Sequence, residues 1–425
     1  MPDQDDRLQT DLTEYYRRLG QQPAPDFKQR VLAAADARAR RRRLFAGVGG
    51  GALAAAAVAV VVVVAFANHG QPIGPSPSNS SGPGGSPSPS ASPSPTVVPP
   101  TVPSVPVGPA VHGFVPADVT AISADEWWVL GFDVSACSPA SCARILHTTD
   151  GGHTFASIPA PPIALAQNGQ QTVRLRFADP ANAWVVSPHG IVWATHDGGG
   201  HWSQDASAGS VTDLEASGGN VYAVSCIATN ACSVERSPTG QDSWSTLAAS
   251  GGHGNLNRLS VNGAHVWVAI ESQAGGLGWL LASSDFGQNF TMQTACPSAL
   301  GYANAYAVDA NTLWATCATG TEASAFRSVD GGQQFTPLTA PLSLPNFASI
   351  AGVSSTTAVI GGGTLERTTN GGQTFTTVES SQGHWTIVGF TTQVNGFALD
   401  VTFTGQSQLW RTNDTGATWY RVQFP

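Results

Sequence analysis

Lysine is nearly missing from this sequence of 425 residues, because Lys28 is the single lysine and the other eighteen basic residues are arginines. No lysine or arginine occurs between Arg43 and Arg144. From residue 110 onward nine arginines stand against twenty-one acidic residues, a formal charge of −12, whereas ten basic and seven acidic residues before position 44 give +3. Phosphate contacts need a concentrated positive surface. We therefore expect no nucleic-acid partner for the C-terminal part.

Cysteine is absent from the first 136 residues, and six cysteines follow: Cys137, Cys142, Cys226, Cys232, Cys296 and Cys317. An even number of cysteines confined to one part of the chain indicates disulfides and an oxidising compartment. No clustered CxxC pair with histidines at zinc spacing occurs among them. The sequence therefore predicts no metal site, and nothing in it indicates a cofactor.

Charged residues are also missing from 44–67, a run of twenty-four residues (LFAGVGGGALAAAAVAVVVVVAFA). At 1.5 Å per residue, a helix of this length spans a hydrocarbon core of about 30 Å. Five arginines lie between Arg38 and Arg43, so the positive-inside rule places the N-terminus in the cytoplasm and the C-terminal part outside. We expect a retained single-pass membrane anchor. A cleaved signal peptide, ending at the small-x-small sequence 65–67, stays open as the alternative, although signal sequences usually have a shorter apolar region.

The segments on either side of this run have distinct compositions. Residues 68–110 are rich in proline, serine and glycine and cannot bury a core, which is typical of a disordered, extended linker. In 1–43, Leu8, Leu12, Tyr15 and Leu19 fall at helical spacing, so we expect a cytoplasmic segment with short helices. Both a solvated tail and a docking segment for a cytoplasmic partner remain open for 1–43.

A short polar turn with the pattern Ser/Thr-x-Asp-x-Gly-x-x-aromatic recurs seven times after residue 110, although the third copy is degenerate, with Thr239 in place of the Asp and Gln241 in place of the Gly. Its terminal aromatic residues are Phe155, Trp202, Trp244, Phe290, Phe335, Phe375 and Trp419. The Asp position, called the slot here, is occupied by Asp150, Asp197, Thr239, Asp285, Asp330, Asn370 and Asp414. The copies are 40 to 47 residues apart, which is the period of a four-stranded propeller blade. An aspartate can accept backbone N–H groups in such a turn, and glycine allows the positive φ that the turn needs.

A second series of aromatic residues precedes the turns, each within an apolar run: Trp128, Trp184, Tyr222, Trp267, Trp314 and Phe397, with none in the sixth unit. Each unit therefore predicts strands A, B and C, the repeated turn, and strand D. The prediction is an all-β domain over 111–425, a seven-bladed β-propeller of four-stranded antiparallel blades. Because the last unit has its own strand D, blade 7 should pack on blade 1 without strand exchange. The stretch 111–115 could add to an outer strand.

The repeated turn resembles the Asp-box, or bacterial neuraminidase repeat, of sialidase-like, sortilin-like and photosystem II assembly factor-like propellers. The anchor implies a membrane-bound bacterial form of this superfamily. The resemblance implies that the turns lie opposite the usual ligand face, so the seven slot residues have a structural role. Four arginines recur three residues before the slot and are interpreted as blade residues too: Arg236, Arg327, Arg367 and Arg411.

The resemblance also suggests a hydrolase, and this can be checked on the residues. A sialidase needs three arginines around the substrate carboxylate, a Tyr–Glu pair and an aspartic acid. Arg174, Arg176 and Arg258 are candidates for the arginine cluster. However, the FRIP-like arginine motif of sialidases is absent, and sialidases have six blades. We therefore favour a non-enzymatic binding module for a cell-wall glycan or a protein, with a sialidase-like glycoside hydrolase using Glu322 or another carboxylate as the alternative.

Binding candidates lie on the rim made by the B–C and D–A loops: His189, His253, Tyr302, Glu322, His384 and Trp385. The strand register also predicts three disulfides that stiffen this rim, Cys137–Cys142, Cys226–Cys232 and Cys296–Cys317. A pair of carboxylates about 5–10 Å apart in a rim cleft would indicate a glycosidase. Exposed aromatic residues such as Trp385 without that pair would indicate a binding surface.

Overall fold

A computed structural model of the chain describes residues 107–133, 143–163, 173–228, 231–249, 255–271, 278–296, 302–319, 322–339, 344–345, 348–381, 383–402 and 406–425. All of them belong to one unit, Thr96–Pro425. They form twenty-nine strands, and this part of the chain contains no helix long and apolar enough to cross a membrane. The predicted cytoplasmic segment, the predicted transmembrane helix and nearly all of the predicted linker lie outside the described residues.

The strands form seven sheets, the blades, in sequence order. Blade 1 contains β1 (Phe114–Ala121), β2 (Trp127–Asp133), β3 (Ala143–Thr148) and β4 (Ala156–Ile158); blade 2 contains β5 (Arg174–Phe177), β6 (Ala183–Val186), β7 (Val192–Thr195) and β8 (Ser203–Asp205). Blade 3 contains β9 (Val211–Ser217), β10 (Asn220–Ala228), β11 (Ala231–Pro238) and β12 (Ser245–Ala249); blade 4 contains β13 (Asn255–Asn262), β14 (His265–Glu271), β15 (Gly278–Ser283) and β16 (Thr291–Cys296). Blade 5 contains β17 (Tyr302–Ala307), β18 (Leu313–Thr319), β19 (Glu322–Ser328), β20 (Thr336–Pro337) and β21 (Leu344–Pro345). Blade 6 contains β22 (Ser349–Gly352), β23 (Ala358–Gly361), β24 (Thr364–Thr368) and β25 (Thr376–Ser380); blade 7 contains β26 (Gly383–Phe390), β27 (Gly396–Thr402), β28 (Ser407–Thr412) and β29 (Tyr420–Arg421).

Every blade is an antiparallel meander of consecutive strands, and blade 5 has the additional short strand β21 paired with β19. The first strand of each blade lines a central cavity. Along β1, buried and half-buried residues alternate, as the two-residue period of a strand requires. The predicted seven-bladed propeller of four-stranded antiparallel blades is confirmed.

The antiparallel connections divide the ends of the strands between two faces of the ring. The turn face holds the A–B turns and the repeated C–D turns, and the loop face holds the B–C and D–A connections. On the turn face the two turns of a blade are joined by a backbone hydrogen bond, for example from Gly151 to Asp125 (2.9 Å) and from Gly371 to Thr356 (2.8 Å). The repeated turn therefore fixes the position of the A–B turn beside it.

Six of the seven repeated turns share one set of hydrogen bonds. In blade 1 the Thr148 hydroxyl donates to Asp150 (2.7 Å) and accepts the N–H of Gly152 (2.9 Å). Oδ1 of Asp150 accepts the N–H of Thr154, four residues after the slot, at 2.9 Å, and the same bond occurs in blades 2, 4, 5, 6 and 7. In blade 1 Oδ1 also accepts the N–H of His153 at 3.0 Å. The exception is blade 3, where the slot holds Thr239. Ser237 takes over part of the role there by accepting the N–H of Ser243 at 3.0 Å.

The apolar layers between blades each contain the aromatic residue of one repeated turn. Trp202 of blade 2 and Trp128 of blade 1 belong to the layer between those two blades. Phe155 of blade 1 and Phe397 of blade 7 belong to the layer that closes the ring. Large aromatic side chains contribute the most burial per residue, which explains why each layer uses them.

The layer between blades 6 and 7 has a different composition, since Val359 stands where other blades have the strand-B aromatic residue. Trp385 belongs to the same layer: its side chain is completely buried, with its ring 5.7 Å from that of Trp410. Gly361 makes the room, because a Cβ atom there would lie 2.8 Å from Cβ of Trp385. The expectation that Trp385 is an exposed rim aromatic is therefore wrong, because Gly361 of the preceding blade lets the side chain pack into this layer.

Blade 7 closes on blade 1 through side chains, and within the described residues each sheet is made only of its own consecutive strands. The Phe424 ring lies 4.9 Å from Phe114 and 5.2 Å from Phe155. The Trp127 ring lies 5.0 Å from Phe397. The predicted closure by packing is confirmed for this part of the chain.

The residues that lead into β1 run along the outside of blade 1. The N–H of Gly108 donates to the carbonyl of Ser157 in β4 at 2.7 Å, and Val111 is buried in the closing layer. The contact with an outer strand therefore involves Gly108, slightly before the stretch 111–115 for which it was expected.

Two disulfides are present, Cys226–Cys232 and Cys296–Cys317. The first joins directly paired residues of β10 and β11, and the second joins the end of β16 to β18. Both lie on the loop face, and both pairs match the prediction. The third predicted pair, Cys137–Cys142, lies outside the described residues.

Candidate functional site

The innermost strands place two rings of side chains around the channel. The register defines the turn-side ring, whose members pair with the strand-B aromatic positions: Thr120, Arg176, Glu215, Ser260, Tyr306, Ala351 and Gly389. The loop-side ring lies two residues earlier in each strand: Asp118, Arg174, Asp213, Arg258, Asn304, Ser349 and Ile387. Because side chains two residues apart in a strand share a face, the two rings are stacked along the channel.

These rings surround a cavity of about 320 Å³. This volume is at the small end of the range for small-molecule sites. All of its described charged residues come from blades 1 to 4, and blades 5 to 7 line it with polar uncharged and apolar groups.

The charged residues form ion pairs across blade boundaries. Arg176 of blade 2 lies 3.2 Å from Asp118 of blade 1 and 2.7 Å from Glu215 of blade 3. Arg174 of blade 2 donates to Asp213 of blade 3 at 2.8 Å. These contacts join blades 1, 2 and 3 at the wall of the channel.

The same wall is joined by side chains that accept a backbone N–H from the next blade. Asp118 accepts the N–H of Leu175 at 2.8 Å, and Asp213 accepts that of Leu259 at 2.9 Å. The remaining contacts of this kind use hydroxyl acceptors: Phe177 to Thr120, Ala307 to Ser260 and Val388 to Ser349. The polar residues of the rings therefore hold blades together as well as line the cavity.

Burial and ion pairing oppose one another in this network. Burial disfavours the charged guanidinium groups, but the neighbouring carboxylates outweigh it and raise the pKa of Arg174 and Arg176. Burial raises the pKa of Glu215, against the opposing effect of Arg176. Both arginines remain charged at any physiological pH.

Tyr306 narrows the turn-side end of the channel. Its hydroxyl donates to the carbonyl of Phe390 in blade 7 (2.8 Å) and accepts the N–H of the same residue (3.0 Å). The phenol of Tyr306 passes across blade 6 to blade 7. The turn-side ring has small residues in both of these blades, Ala351 in blade 6 and Gly389 in blade 7. Burial raises the pKa of Tyr306 to about 12, so the hydroxyl keeps its proton.

The predicted rim residues do not form one described cluster. His189 lies exposed in the B–C turn of blade 2, and His384 is half-buried in β26. Tyr302 and Glu322 lie in β17 and β19, but the positions of their side chains are outside the described part, as is all of His253. Among the described residues no group of three or more His, Cys, Asp or Glu could hold a metal ion.

The slot aspartates have lowered pKa values because they accept hydrogen bonds within their turns. Asp285 accepts the backbone and side-chain N–H groups of Asn289, and its pKa falls to about 2. At Asp197, burial acts in the opposite direction, but bonds from His201 and Thr195 lower the pKa to about 2. Asn370 makes the corresponding bonds through its amide oxygen. The carboxylates are thus occupied by the turns themselves.

The arginines before the slot connect neighbouring blades on the turn face. Each donates to a backbone carbonyl of the next blade: Arg236 to Phe286 (2.8 Å), Arg327 to Ser355 (2.7 Å), Arg367 to Thr415 (2.8 Å) and Arg411 to Gly151. Arg411 closes this series between blade 7 and blade 1. These contacts agree with the interpretation of the four arginines as blade residues.

The acidic residues of the channel were not among the sequence candidates, although the three arginines were. Asp118, Asp213 and Glu215 lie at alternate positions in the segments VPADVTA and VTDLEA. Such alternation marks one face of a strand, so the sequence carried a signal for them. Only the closed ring shows that they meet Arg174 and Arg176.

Comparison with known proteins agrees on the fold. YCF48 from Cyanidioschyzon merolae is similar over 72% of this chain and 97% of its own, with 15% identity and a TM-score of 0.51. A YCF48 structure with a bound D1 peptide is similar over 73% of this chain and 99% of its own, with 18% identity and a TM-score of 0.49. The GH74 enzyme of Niastella koreensis is similar over 73% of this chain and 65% of its own, with 12% identity and a TM-score of 0.42. No protein-family model and no curated protein matches the sequence. At these identities the similarity establishes the propeller fold alone.

Proposed function

We propose that the chain is an extracytoplasmic binding module, held at the cell membrane by residues 44–67, whose propeller binds a cell-wall glycan or a protein through its loop face. One observation carries the choice of binding over hydrolysis. Asp118 and Asp213, the two described loop-side carboxylates of the channel, each accept one hydrogen bond from an arginine and one from a backbone N–H. Glu215 is paired with Arg176. A glycosidase needs one carboxyl as a proton donor and a second as nucleophile or base.

The loop face is supported as the binding surface by the two disulfides. Cys226–Cys232 and Cys296–Cys317 both constrain this face, and neither lies near the repeated turns. Constraining loops before binding reduces the entropy lost on association. The turn face, in contrast, uses its carboxylates and arginines in contacts within and between blades.

Anchoring and family are part of the same proposal. The charge-free run 44–67 with its flanking arginines supports a single-pass anchor with the propeller outside the cytoplasm. The repeated turn, with its shared hydrogen bonds, supports membership of the Asp-box propellers. Protease added to intact cells should release a propeller-sized fragment, and a mature chain that begins near Asn68 would show a secreted protein instead.

The alternative is a sialidase-like glycoside hydrolase, and one observation favours it. Arg174, Arg176 and Arg258 do line one cavity, as a carboxylate-binding cluster would require. These arginines lie beside three acidic residues, however, so the cavity differs from the open cationic site of a sialidase.

A binding screen with the full-length chain in detergent separates the two functions. Cell-wall fragments and surface proteins are offered, and turnover of a glycoside panel is measured in parallel. His189→Ala on the loop face should weaken binding, whereas His201→Ala, exposed on the turn face, is the matched control and should not. Glycoside turnover that disappears in Glu215→Gln would establish the hydrolase, and equal loss of binding in both histidine variants would exclude the loop face.

A further inference from the structure

The charges lining the cavity do not cancel locally. Asp213 has two arginines beside it, Arg174 at 2.8 Å and Arg258 at 3.9 Å, so this side carries an excess positive charge. Arg176 has two carboxylates beside it, one of which is Glu215 at 2.7 Å, so that side carries an excess negative charge. The cavity is therefore close to neutral as a whole but has a positive and a negative side.

The excess charges belong to the side chains that are most accessible. The side chains of Arg258 and Glu215 are 33% and 27% exposed, whereas that of Asp213 is 2% exposed. The 3.9 Å between Arg258 and Asp213 exceeds the 2.7–2.9 Å of a charge-assisted hydrogen bond. No described residue bonds the Arg258 guanidinium more closely, and Arg176 uses only Oε1 of Glu215. One cationic group and one carboxylate oxygen thus retain capacity for a ligand.

The remaining walls set the size and the direction of approach. Asn304, Ser349 and Thr386 offer uncharged polar groups on the side of blades 5 to 7. Tyr306 narrows the turn-side end, so a ligand would enter from the loop face. A volume of about 320 Å³ admits a small molecule and not a folded partner.

We propose that this cavity binds a small zwitterion, with the ligand carboxylate on Arg258 and its ammonium group on Glu215. A free α-amino acid has both groups at a separation that a cavity of this size can accept. The site is distinct from the loop-face surface proposed above, so either proposal can fail without the other.

Three probes test the proposal on the full-length chain in detergent by calorimetric titration: L-alanine, acetate and ethylammonium. The zwitterion should bind more tightly than either single ion, because only it satisfies both sides of the cavity. Equal affinity for acetate and alanine would show a simple anion site, and no binding of any probe at millimolar concentration would also overturn the proposal. This comparison uses the unaltered chain and needs no variant.

Two substitutions then assign the contacts. Arg258→Gln should weaken the binding of alanine and acetate by about tenfold or more and leave that of ethylammonium unchanged. Glu215→Gln should weaken the binding of alanine and ethylammonium and leave that of acetate unchanged. Arg421→Gln, on the exposed strand β29, is the control and should bind as the unaltered chain does. Arg258→Lys keeps the charge and should retain binding if Arg258→Gln proves too unstable to measure. Unchanged alanine affinity in a folded Arg258→Gln chain would contradict the assignment.

Discussion

Blades 1 to 4 and blades 5 to 7 build the two halves of the channel wall with different chemistry. The first half places six charged side chains in the rings: Asp118, Arg174, Arg176, Asp213, Glu215 and Arg258. The second half places none there and joins its blades through Tyr306, the hydroxyl of Ser349 and the small Ala351 and Gly389. The same strand register thus accepts either ion pairs or neutral hydrogen bonds between blades. The charged half should be the more sensitive to loss of a single partner, because a buried charge without its counter-ion is costly.

The largest effect is expected for Asp213→Ala in the charged half. This change leaves Arg174 buried without its hydrogen-bonded carboxylate and the N–H of Leu259 without an acceptor. We expect a loss of about 3–5 kcal/mol in the free energy of unfolding, measured by urea denaturation. Ser349→Ala in the other half is the matched control, since it also removes a side chain that accepts a backbone N–H of the next blade, that of Val388. It should cost about 1 kcal/mol. Similar losses in the two variants would show that the halves do not differ.

Tyr306→Phe should produce the largest effect within the uncharged half. It removes the hydroxyl that both donates to and accepts from Phe390, and leaves two backbone groups without this partner. The expected cost is about 1–3 kcal/mol in the same measurement. Tyr420→Phe, on an exposed side chain, should be near neutral, and an equal effect there would mean that the contact across blade 6 contributes nothing.

A smaller, pH-dependent effect should occur at His147, next to the charged half. His147 is buried and stacked on Trp128 at 4.4 Å, and burial lowers its pKa although Glu126 acts in the opposite direction. Since the folded-state pKa lies below the ordinary value of about 6.5, the unfolded chain takes up the proton first as pH falls. The free energy of unfolding should therefore fall as the pH decreases from about 6.5 to the folded-state pKa. Above about pH 6.5 His147 should contribute no pH dependence. Because Glu126 offsets part of the burial effect, the loss should be below that of Tyr306→Phe.

The comparison of unfolding temperatures from pH 8 to pH 5 with those of His147→Phe isolates this contribution. The variant keeps an aromatic ring on Trp128 but has no proton to bind. Its curve should fall less steeply below pH 6.5, and parallel curves would refute the titration of His147.

The smallest effects are expected on the turn face, where blades 2 and 7 have the same kind of repeated turn. Asp197→Asn in blade 2 and Asp414→Asn in blade 7 keep an oxygen that can accept the turn N–H groups, as Asn370 does. Solvent screens both carboxylates, so each change should alter the free energy of unfolding by less than about 1 kcal/mol. A much larger loss in one of the two would extend the difference between the halves to the turn face.

The sequence predicted the blades well because each repeated turn satisfies its own hydrogen bonds within about eight residues. The aromatic residues of the turns were predictable for the same reason, and the cysteine pairs were predictable from the strand register. Trp385 was predicted to be exposed because its burial depends on Gly361 of the preceding blade, which no local sequence pattern links to it. The ion-pair partners of Arg176 could not be predicted from the sequence either, since Asp118 and Glu215 come from the blades on either side of it.

The closing layer has a mechanical consequence. The chain enters the propeller at the same place where the ring is closed, through Gly108 on β4 and Phe114 against Phe424. If residues 44–67 hold the protein to a membrane, any pull on the bound propeller is transmitted first to these few contacts. Because no strand is shared across this junction in the described residues, side-chain packing and the bond from Arg411 to Gly151 resist that pull. The junction between blades 7 and 1 is thus the point at which tension would open the ring, and the rupture force of the tethered protein should depend on it.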